Sequence, residues 1–258
     1  MKIVVCMKQV PDTNEIKIDQ KTGTLIREGV PSIMNPEDKH ALLAALQIKD
    51  AEVIALSMGP PQAEMILREA LAYGAKSAIL LCDFAFAGSD TAATSYALSK
   101  AIEKINPNLV ICGRQAIDGD TAQVGPQIAE LLGLSQITYV QKIINISKDT
   151  IEVQRETEIG YDIVETILPA LITCTNEVSE IDYPSLKGIA FAFEQKIETW
   201  KADDINADKE RLGLKGSPTW VSKSFTPSQQ RQGNIQKGNP KELAKQLAKS
   251  FIEKEIAK

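Results

Sequence analysis

The sequence predicts an α/β protein: a doubly wound, mainly parallel sheet, a smaller antiparallel β portion, and an extended C-terminal arm ending in a helix. Three observations predict it. Through residues 1–133, short apolar runs alternate with amphipathic helical stretches, the pattern of a parallel sheet covered on both faces. Between 137 and 175 the segments are β-type with little helix between them. From 201 to 240 the chain turns polar and rich in Gly, Pro, Ser and Lys, before one last helical stripe.

The first apolar run, 3–6, is a buried-type strand. The polar stretch Met7 to Asn14 follows at its carboxyl end, the edge where open α/β sheets bind ligands. Ile16, Ile18, Leu25 and Ile26 flank Lys21-Thr22-Gly23 and read as a β-hairpin excursion. Asn35-Pro36-Glu37-Asp38 has the form of a helix start, with Asn as cap, Pro at the first helical position and acids in the first turn; the helix is expected to run to about Ile48. Residues 53–57 form a second strand closed by Gly59-Pro60-Pro61. Residues 62–73 form an amphipathic helix carrying Ile66, Leu67, Ala70 and Leu71. Residues 78–81 are a third strand, and Ser89-Asp90-Thr91 caps a helix through Ile105 that Asn106-Pro107 ends. After a fourth strand at 109–112 and the helix that follows, β-type segments cover 137–140, 142–146, 150–156, 161–167 and 171–175. From Tyr183 the regular pattern stops. Residues 241–256 resume a helix with Leu243, Leu247, Phe251 and Ile252 on one stripe, which needs a partner. The expected division is an α/β domain over 1–200 and an arm with its helix over 201–258.

Bulk properties exclude several function classes. At 258 residues the chain can bury a sizeable core, and a net charge of −5 with no basic surface excludes a nucleic-acid binder. Cys6, Cys82, Cys112 and Cys174 lie far apart with no CxxC pair, so buried reduced thiols are expected. The single histidine, His40, removes His-rich metal sites and a Ser-His-Asp triad; it reads as a solvated helix residue. No apolar stretch approaches ~18 residues and the first strand begins at once, so a soluble cytoplasmic protein without membrane insertion is expected. Phe84 and Phe86 read as core or lid residues and Arg155-Glu156 as ordinary cross-strand pairing. Trp200 and Trp220 flank the arm, as anchors to a partner or as plain packing.

The stretch 109–132 reads as strand, polar loop, helix. Val124, Ile128, Leu131 and Leu132 share helical spacing, and Asp120 or Thr121 is expected to cap a helix there, with Gln123 placed as in a capping box. A helix N-terminus at the sheet's carboxyl edge offers free N–H groups and a positive dipole to a phosphate. Gly113 to Asp120 is therefore a candidate nucleotide site in a Rossmann-like fold, although an ordinary strand-to-helix turn has the same spacing. Asp118 and Asp120 would repel a phosphate and only Arg114 is basic nearby. Backbone N–H groups and the Thr121 hydroxyl would have to make the contact, while the carboxylates cap the helix or accept from ribose hydroxyls. Neither GxxxxGK[ST] nor GxGxxG occurs, which argues against a kinase or an ordinary dehydrogenase.

Four stretches carry a resemblance: Lys8-Gln9-Val10-Pro11, Met34-Asn35-Pro36, Ala55-Leu56-Ser57-Met58-Gly59-Pro60, and Cys112-Gly113-Arg114-Gln115-Ala116-Ile117-Asp118-Gly119-Asp120-Thr121-Ala122-Gln123-Val124-Gly125. Together they resemble the beta subunits of electron-transfer flavoproteins, over about residues 1–200. The resemblance implies a heterodimer with an alpha subunit that carries an electron-transferring FAD. It also implies a pocket of this chain's own, holding AMP in respiratory members and a second FAD in the electron-bifurcating members of anaerobes. Residues 8–13 and 118–126 are more similar to the bifurcating type. FAD is therefore expected over AMP, with NADH and ferredoxin as electron partners and a flavin-dependent dehydrogenase as the third.

Carried across residue by residue, the family's pocket falls on Cys6, on Asn35, Pro36, Glu37, Asp38 and Ala55 around the adenosine, and on Gly113, Arg114, Gln115, Ala116, Ile117, Asp118, Gly119, Asp120, Thr121, Ala122, Gln123 and Val124 around the phosphate. The family's carboxylate near the alpha-subunit flavin matches Glu156, and its exposed leucine for docking a dehydrogenase matches Leu186. Ile159 departs from the family pattern after Arg155, standing where small or acidic residues are usual, and an acid-amide position of that pattern is Asp162 here. The polar arm and last helix resemble the family's tail that wraps the alpha subunit. No metal, nucleophile or general acid is implied; the redox chemistry would be the flavin's, and no catalysis is expected without the partner. Two rivals remain: a stand-alone adenine-nucleotide sensor, against which the partner-seeking arm argues, and an adenylate-forming or pyrophosphatase-type enzyme, against which the missing phosphate loop argues.

Overall fold

The computed structural model describes residues 1–12, 31–222, 235 and 237–253. The chain opens with β1 (Lys2–Met7) and β2 (Gln9–Pro11), and β3 (Ser32–Met34) returns antiparallel to β2 before α1 (Pro36–Leu46). The hairpin expected between Ile16 and Ile26 lies outside the described residues. Then come β4 (Glu52–Met58), α2 (Glu64–Tyr73), β5 (Ser77–Leu81), α3 (Thr91–Ile105), β6 (Leu109–Gly113) and α4 (Val124–Leu132). A β-rich stretch follows, with β7 (Ser135–Ile146), β8 (Thr150–Thr157), β9 (Gly160–Ile167) and β10 (Ala170–Cys174). The described elements end with α5 (Leu186–Glu194), β11 (Glu198–Trp200) and α6 (Pro240–Glu253).

Among the described residues the main sheet has nine strands in the order β11-β5-β4-β1-β6-β10-β7-β8-β9, all parallel up to β7 and antiparallel beyond it. Alternate residues of each central strand enter opposite cores. Ile3, Val5 and Met7 pack with Leu42, Ile66 and Leu67 of α1 and α2, while Val4 and Cys6 pack with Tyr96, Ile102 and Ile128 of α3 and α4. Both faces are covered, which is why these strands read as continuous apolar runs rather than alternating ones. The expected doubly wound sheet with a smaller antiparallel portion is present.

Helix ends follow local chemistry. Asp90 Oδ1 accepts the N–H groups of Ala92 and Ala93 (3.0 and 3.1 Å) to cap α3, and Asn106 in the left-handed region (φ 51°) ends it, as the sequence leads one to expect. α1 stops at Leu46 rather than Ile48.

Three features were not legible in the local pattern. The segments 137–140 and 142–146 are one strand, β7, with Tyr139 at φ 60° and register breaks after Val140 and Ile143. Only Leu168 and Pro169 join β9, whose Ile167 pairs with Thr150 at the far tip, to β10, whose Ala170 pairs with Ser135 at the start of β7. Twelve extended residues span about 40 Å and a two-residue link only about 10 Å, so β7 curls back on itself. That curl puts Ile151 and Val153 into the same core as Ile172. Second, the stretch after Tyr183, expected to lack regular structure, holds α5 and the edge strand β11, which pairs parallel with β5. Third, residues 201–222 are not a free arm. Ala202, Ile205 and Leu212 are buried, and Asp83 and Asp90 hold Ala202 and Thr219 by hydrogen bonds.

The compact unit therefore runs Met1–Ser222, beyond the boundary expected at 200, and 223–258 form a second unit. Within that unit Leu247, Phe251 and Ile252 of α6 are exposed. No helix among the described residues is long and apolar enough to cross a membrane.

Candidate functional site

The start of helix α1 stands at the carboxyl ends of β1 and β6. Asn35 occupies its N-cap position, yet the side chain does not close its own helix. Its Nδ2 donates to the carbonyl of Gln115 (2.8 Å) and its Oδ1 accepts from the N–H of Ile117 (3.1 Å). Glu37 accepts the N–H of Gln115 on Oε2 (2.8 Å) and pairs through Oε1 with Arg114 Nη2 (2.8 Å). Asp38 accepts the N–H of Lys8 on Oδ2 (2.8 Å) and that of Gly113 on Oδ1 (3.0 Å). Three side chains of one helix start thus hold the loops that leave β1 and β6. Pro36 presets that helix start, since its fixed φ suits the first turn and its missing N–H is not needed there. The polar side chains expected around an adenosine are turned onto loop backbone.

Burial pushes the carboxyl of Asp38 up to about 7 against the hydrogen bonds from Lys8, Asn35 and Gly113 that favour its charged form, and the charge of Glu37 adds to the rise. A carboxylate whose folded pKa lies above its unfolded value contributes most below the unfolded value, and that contribution is lost as pH rises to about 7. Unfolding measured from pH 4 to 8 should therefore show wild type losing stability relative to Asp38→Asn as pH rises, by on the order of a few kcal/mol in total. A pH-independent difference would remove the buried charge from the explanation.

The far half of the loop departs from the expected cap. Gly119 and Asp120 both donate to the carbonyl of Ala116 (3.2 and 2.9 Å), and Gln115 Nε2 donates to Asp120 Oδ1 (3.0 Å). Asp120 and Ala122 lie in the left-handed region (φ 47° and 53°), so no helix can start at Thr121. α4 begins at Val124, with Gln123 in the N-cap position and no side-chain cap; Gln123 Oε1 instead accepts from the Thr91 hydroxyl (2.9 Å). The expected cap by Asp120 or Thr121, and the capping box, are therefore corrected. Thr121 is exposed. Gly125 lets this helix start descend onto β10, since a Cβ there would lie 2.6 Å from Thr173 Cγ2.

Ala55 is fully buried within β4, in register with Val5 and Ala78, inside the sheet rather than at its carboxyl edge. The β4 residues at that edge are Ser57 and Met58, because the strand runs three residues past Ala55. Cys6 and Cys112 are buried side by side on β1 and β6. Contact with Cys6 and burial push the Cys112 thiol up, and burial with the charge of Glu37 pushes Cys174 up, so both stay protonated and inert. All four cysteines are free. His40 is not solvated as expected: its Nδ1 donates to the Ser179 carbonyl (2.8 Å) while Ser179 Oγ donates to the His40 carbonyl (2.9 Å). Glu156 sits on β8 opposite Tyr161, and Leu186, 86% exposed, is the first residue of α5. Phe86 is buried and Phe84 fully exposed. Arg155 stands in register with Asp162.

The residues present fit the phosphate end of an adenine nucleotide. The first turn of α4 has no side chain on its N–H groups, and free donors at a helix start suit an anion. Asp118, which ought to repel a phosphate, is neutralised by Lys8 Nζ at 2.6 and 2.8 Å. Ser57 Oγ and Arg114 Nε are buried at the same sheet edge without partners among the described residues. Lys8 was not among the residues expected to form the site; the signal for it is a lone cation after β1, opposite a loop with two acids.

The electron transfer flavoprotein domain model matches residues 22–205. The chain belongs to the electron transfer flavoprotein family. It is 54% identical to the electron transfer flavoprotein subunit beta of Thermoanaerobacterium thermosaccharolyticum, over 99% of this chain and all of that one. It is 52% identical to the caffeyl-CoA reductase-Etf complex subunit CarD of Acetobacterium woodii, over 99% of this chain and all of the relative. Protein FixA of Bradyrhizobium diazoefficiens is 47% identical, over 88% of this chain and 83% of its own. As a member of this flavoprotein family the chain has an electron-transfer role, and its family is one associated with flavin or nucleotide.

Proposed function

We propose that the chain is the beta subunit of a heterodimer that holds FAD at the carboxyl edge of β1, β4 and β6 and serves flavin-based electron bifurcation. NADH would supply the electrons, and ferredoxin and a flavin-dependent dehydrogenase would receive them. The observation that carries the reading is the end-to-end likeness to a subunit named for a caffeyl-CoA reductase complex of Acetobacterium woodii. Bound here, FAD would supply two-electron acceptance from a hydride donor and one-electron release. The protein's part is to place it: α4 offers N–H groups to the pyrophosphate, while Asn35, Glu37 and Asp38 fix the two loops around it. Cytoplasmic location belongs to the same reading.

Co-expression with the alpha subunit, followed by mass spectrometry and flavin absorbance of the purified heterodimer, tests it. Two FAD per heterodimer are expected. One FAD with one AMP would overturn the assignment of FAD, and an empty second site would overturn the pocket.

The same reading makes Leu186 the docking anchor for the dehydrogenase and puts Glu156 near the alpha-subunit flavin. Leu186→Ala should slow electron exchange with the dehydrogenase by about tenfold or more, because one exposed apolar anchor can carry much of a transient interface. Flavin content should stay unchanged; a variant that loses flavin would make Leu186 a structural residue instead.

A further inference from the structure

We infer that Lys8 is a positioning residue for nucleotide binding, acting as the counter-charge that makes an acidic phosphate loop tolerable to a phosphate; this rests on the pocket assigned under Proposed function. Four carboxylates, Glu37, Asp38, Asp118 and Asp120, stand in or against the loop that runs from β6 to α4. Among the described residues, two cations answer them. Arg114 is committed to Glu37 and lies over the Tyr139 ring (5.5 Å to the centroid), so it does not serve Asp118. Asp120 has a neutral partner in Gln115. Asp118 is left to Lys8, whose Nζ reaches both of its oxygens across 110 residues of sequence.

Lys8 is fixed for this task at its other end as well. Its N–H donates to Asp38 and its carbonyl accepts from the N–H of Asn35 (2.9 Å), so the backbone from which the side chain springs is tied to α1. Asp118 is mostly buried while Lys8 is half exposed. Removing the ammonium therefore leaves a poorly solvated carboxylate in the loop that is to receive a phosphate, and like charges at such separations repel strongly where water is partly excluded. Lys8 acts by cancelling Asp118, not by gripping the phosphate itself, and the two roles predict different double variants.

The test uses the heterodimer, stripped of nucleotide and titrated with FAD and, separately, with AMP by calorimetry. Lys8→Met should weaken occupancy of the beta-chain site by about tenfold, with the deficit shrinking as salt is raised. Lys8→Met combined with Asp118→Asn should restore affinity to near the wild-type value, and Lys8→Arg should retain it. A double variant as weak as the single one, with unchanged melting, would mean that Lys8 contacts the phosphate directly and would overturn the inference. So would wild-type affinity in Lys8→Met. Wild type that binds neither FAD nor AMP at this site sinks the pocket itself. Melting of the stripped heterodimers is measured alongside; a Lys8→Met deficit that tracks lost stability and persists in the double variant makes the pair merely structural.

Discussion

Gly113→Ala should lower the unfolding free energy by about 3 kcal/mol and, if the proposed pocket holds a nucleotide, strip it from the purified protein. A Cβ at this position would overlap Asp38 Oδ1 and come within 2.8 Å of the Asp38 backbone nitrogen and 2.9 Å of the Glu37 carbonyl carbon. None of these is the free end of a flexible chain, so either the start of α1 or the end of β6 must move. Movement breaks the Gly113 to Asp38 hydrogen bond and slackens the loop that Glu37 and Asn35 also hold. Gly119→Ala is the control: nothing lies within 4 Å of a Cβ there, so melting should change by no more than about 0.5 kcal/mol. Melting and nucleotide content of both variants check this, and a Gly113→Ala protein with full nucleotide and wild-type melting would show that the close approach is not required.

Truncation should separate two roles in the C-terminal quarter. A chain ending at Ser222 should remain folded, since the compact unit closes there, and should lose the heterodimer if 223–258 supply the contact with the alpha subunit. The exposed stripe of Leu247, Phe251 and Ile252 on α6 motivates that expectation. A chain ending at Trp200 should fail to fold stably. It lacks Ala202, Ile205 and Leu212, whose burial in the core shared with α3 and α4 contributes about 5 kcal/mol, a large part of an ordinary domain's stability. Circular dichroism of each chain and size exclusion with the alpha subunit read the two outcomes. A heterodimer that survives removal of 223–258 refutes the assignment of the tail.

The residues of the site show how far sequence carries. Asn35, Pro36, Glu37 and Asp38 are visible as a helix start and, by resemblance, as pocket residues; that the side chains of Asn35, Glu37 and Asp38 bond loop backbone is not. The hydrogen bonds in question join residues 30 to 82 positions apart. The helix expected at Thr121 starts at Val124 because two residues before it, Asp120 and Ala122, take left-handed backbone that side-chain type alone does not demand. The family resemblance implies Ala55 beside the ligand, but strand register sets it inside the sheet.

What this sequence determines by itself is local or patterned: alternating apolar runs and amphipathic helices that specify a covered parallel sheet, Asp90 and Asn106 that bound α3, and a run from Cys112 to Gly125 specific enough to mark the family. These depend on neighbours within a few residues, where period and capping chemistry operate. The tertiary structure alone decided the strand order that brings β1 and β6 together, the curl of β7, the three-residue edge strand β11 and the pairing of Lys8 with Asp118. It also decided that Asp38 holds its proton up to about 7, because a carboxyl's proton affinity is set by what surrounds it in space, here burial above all.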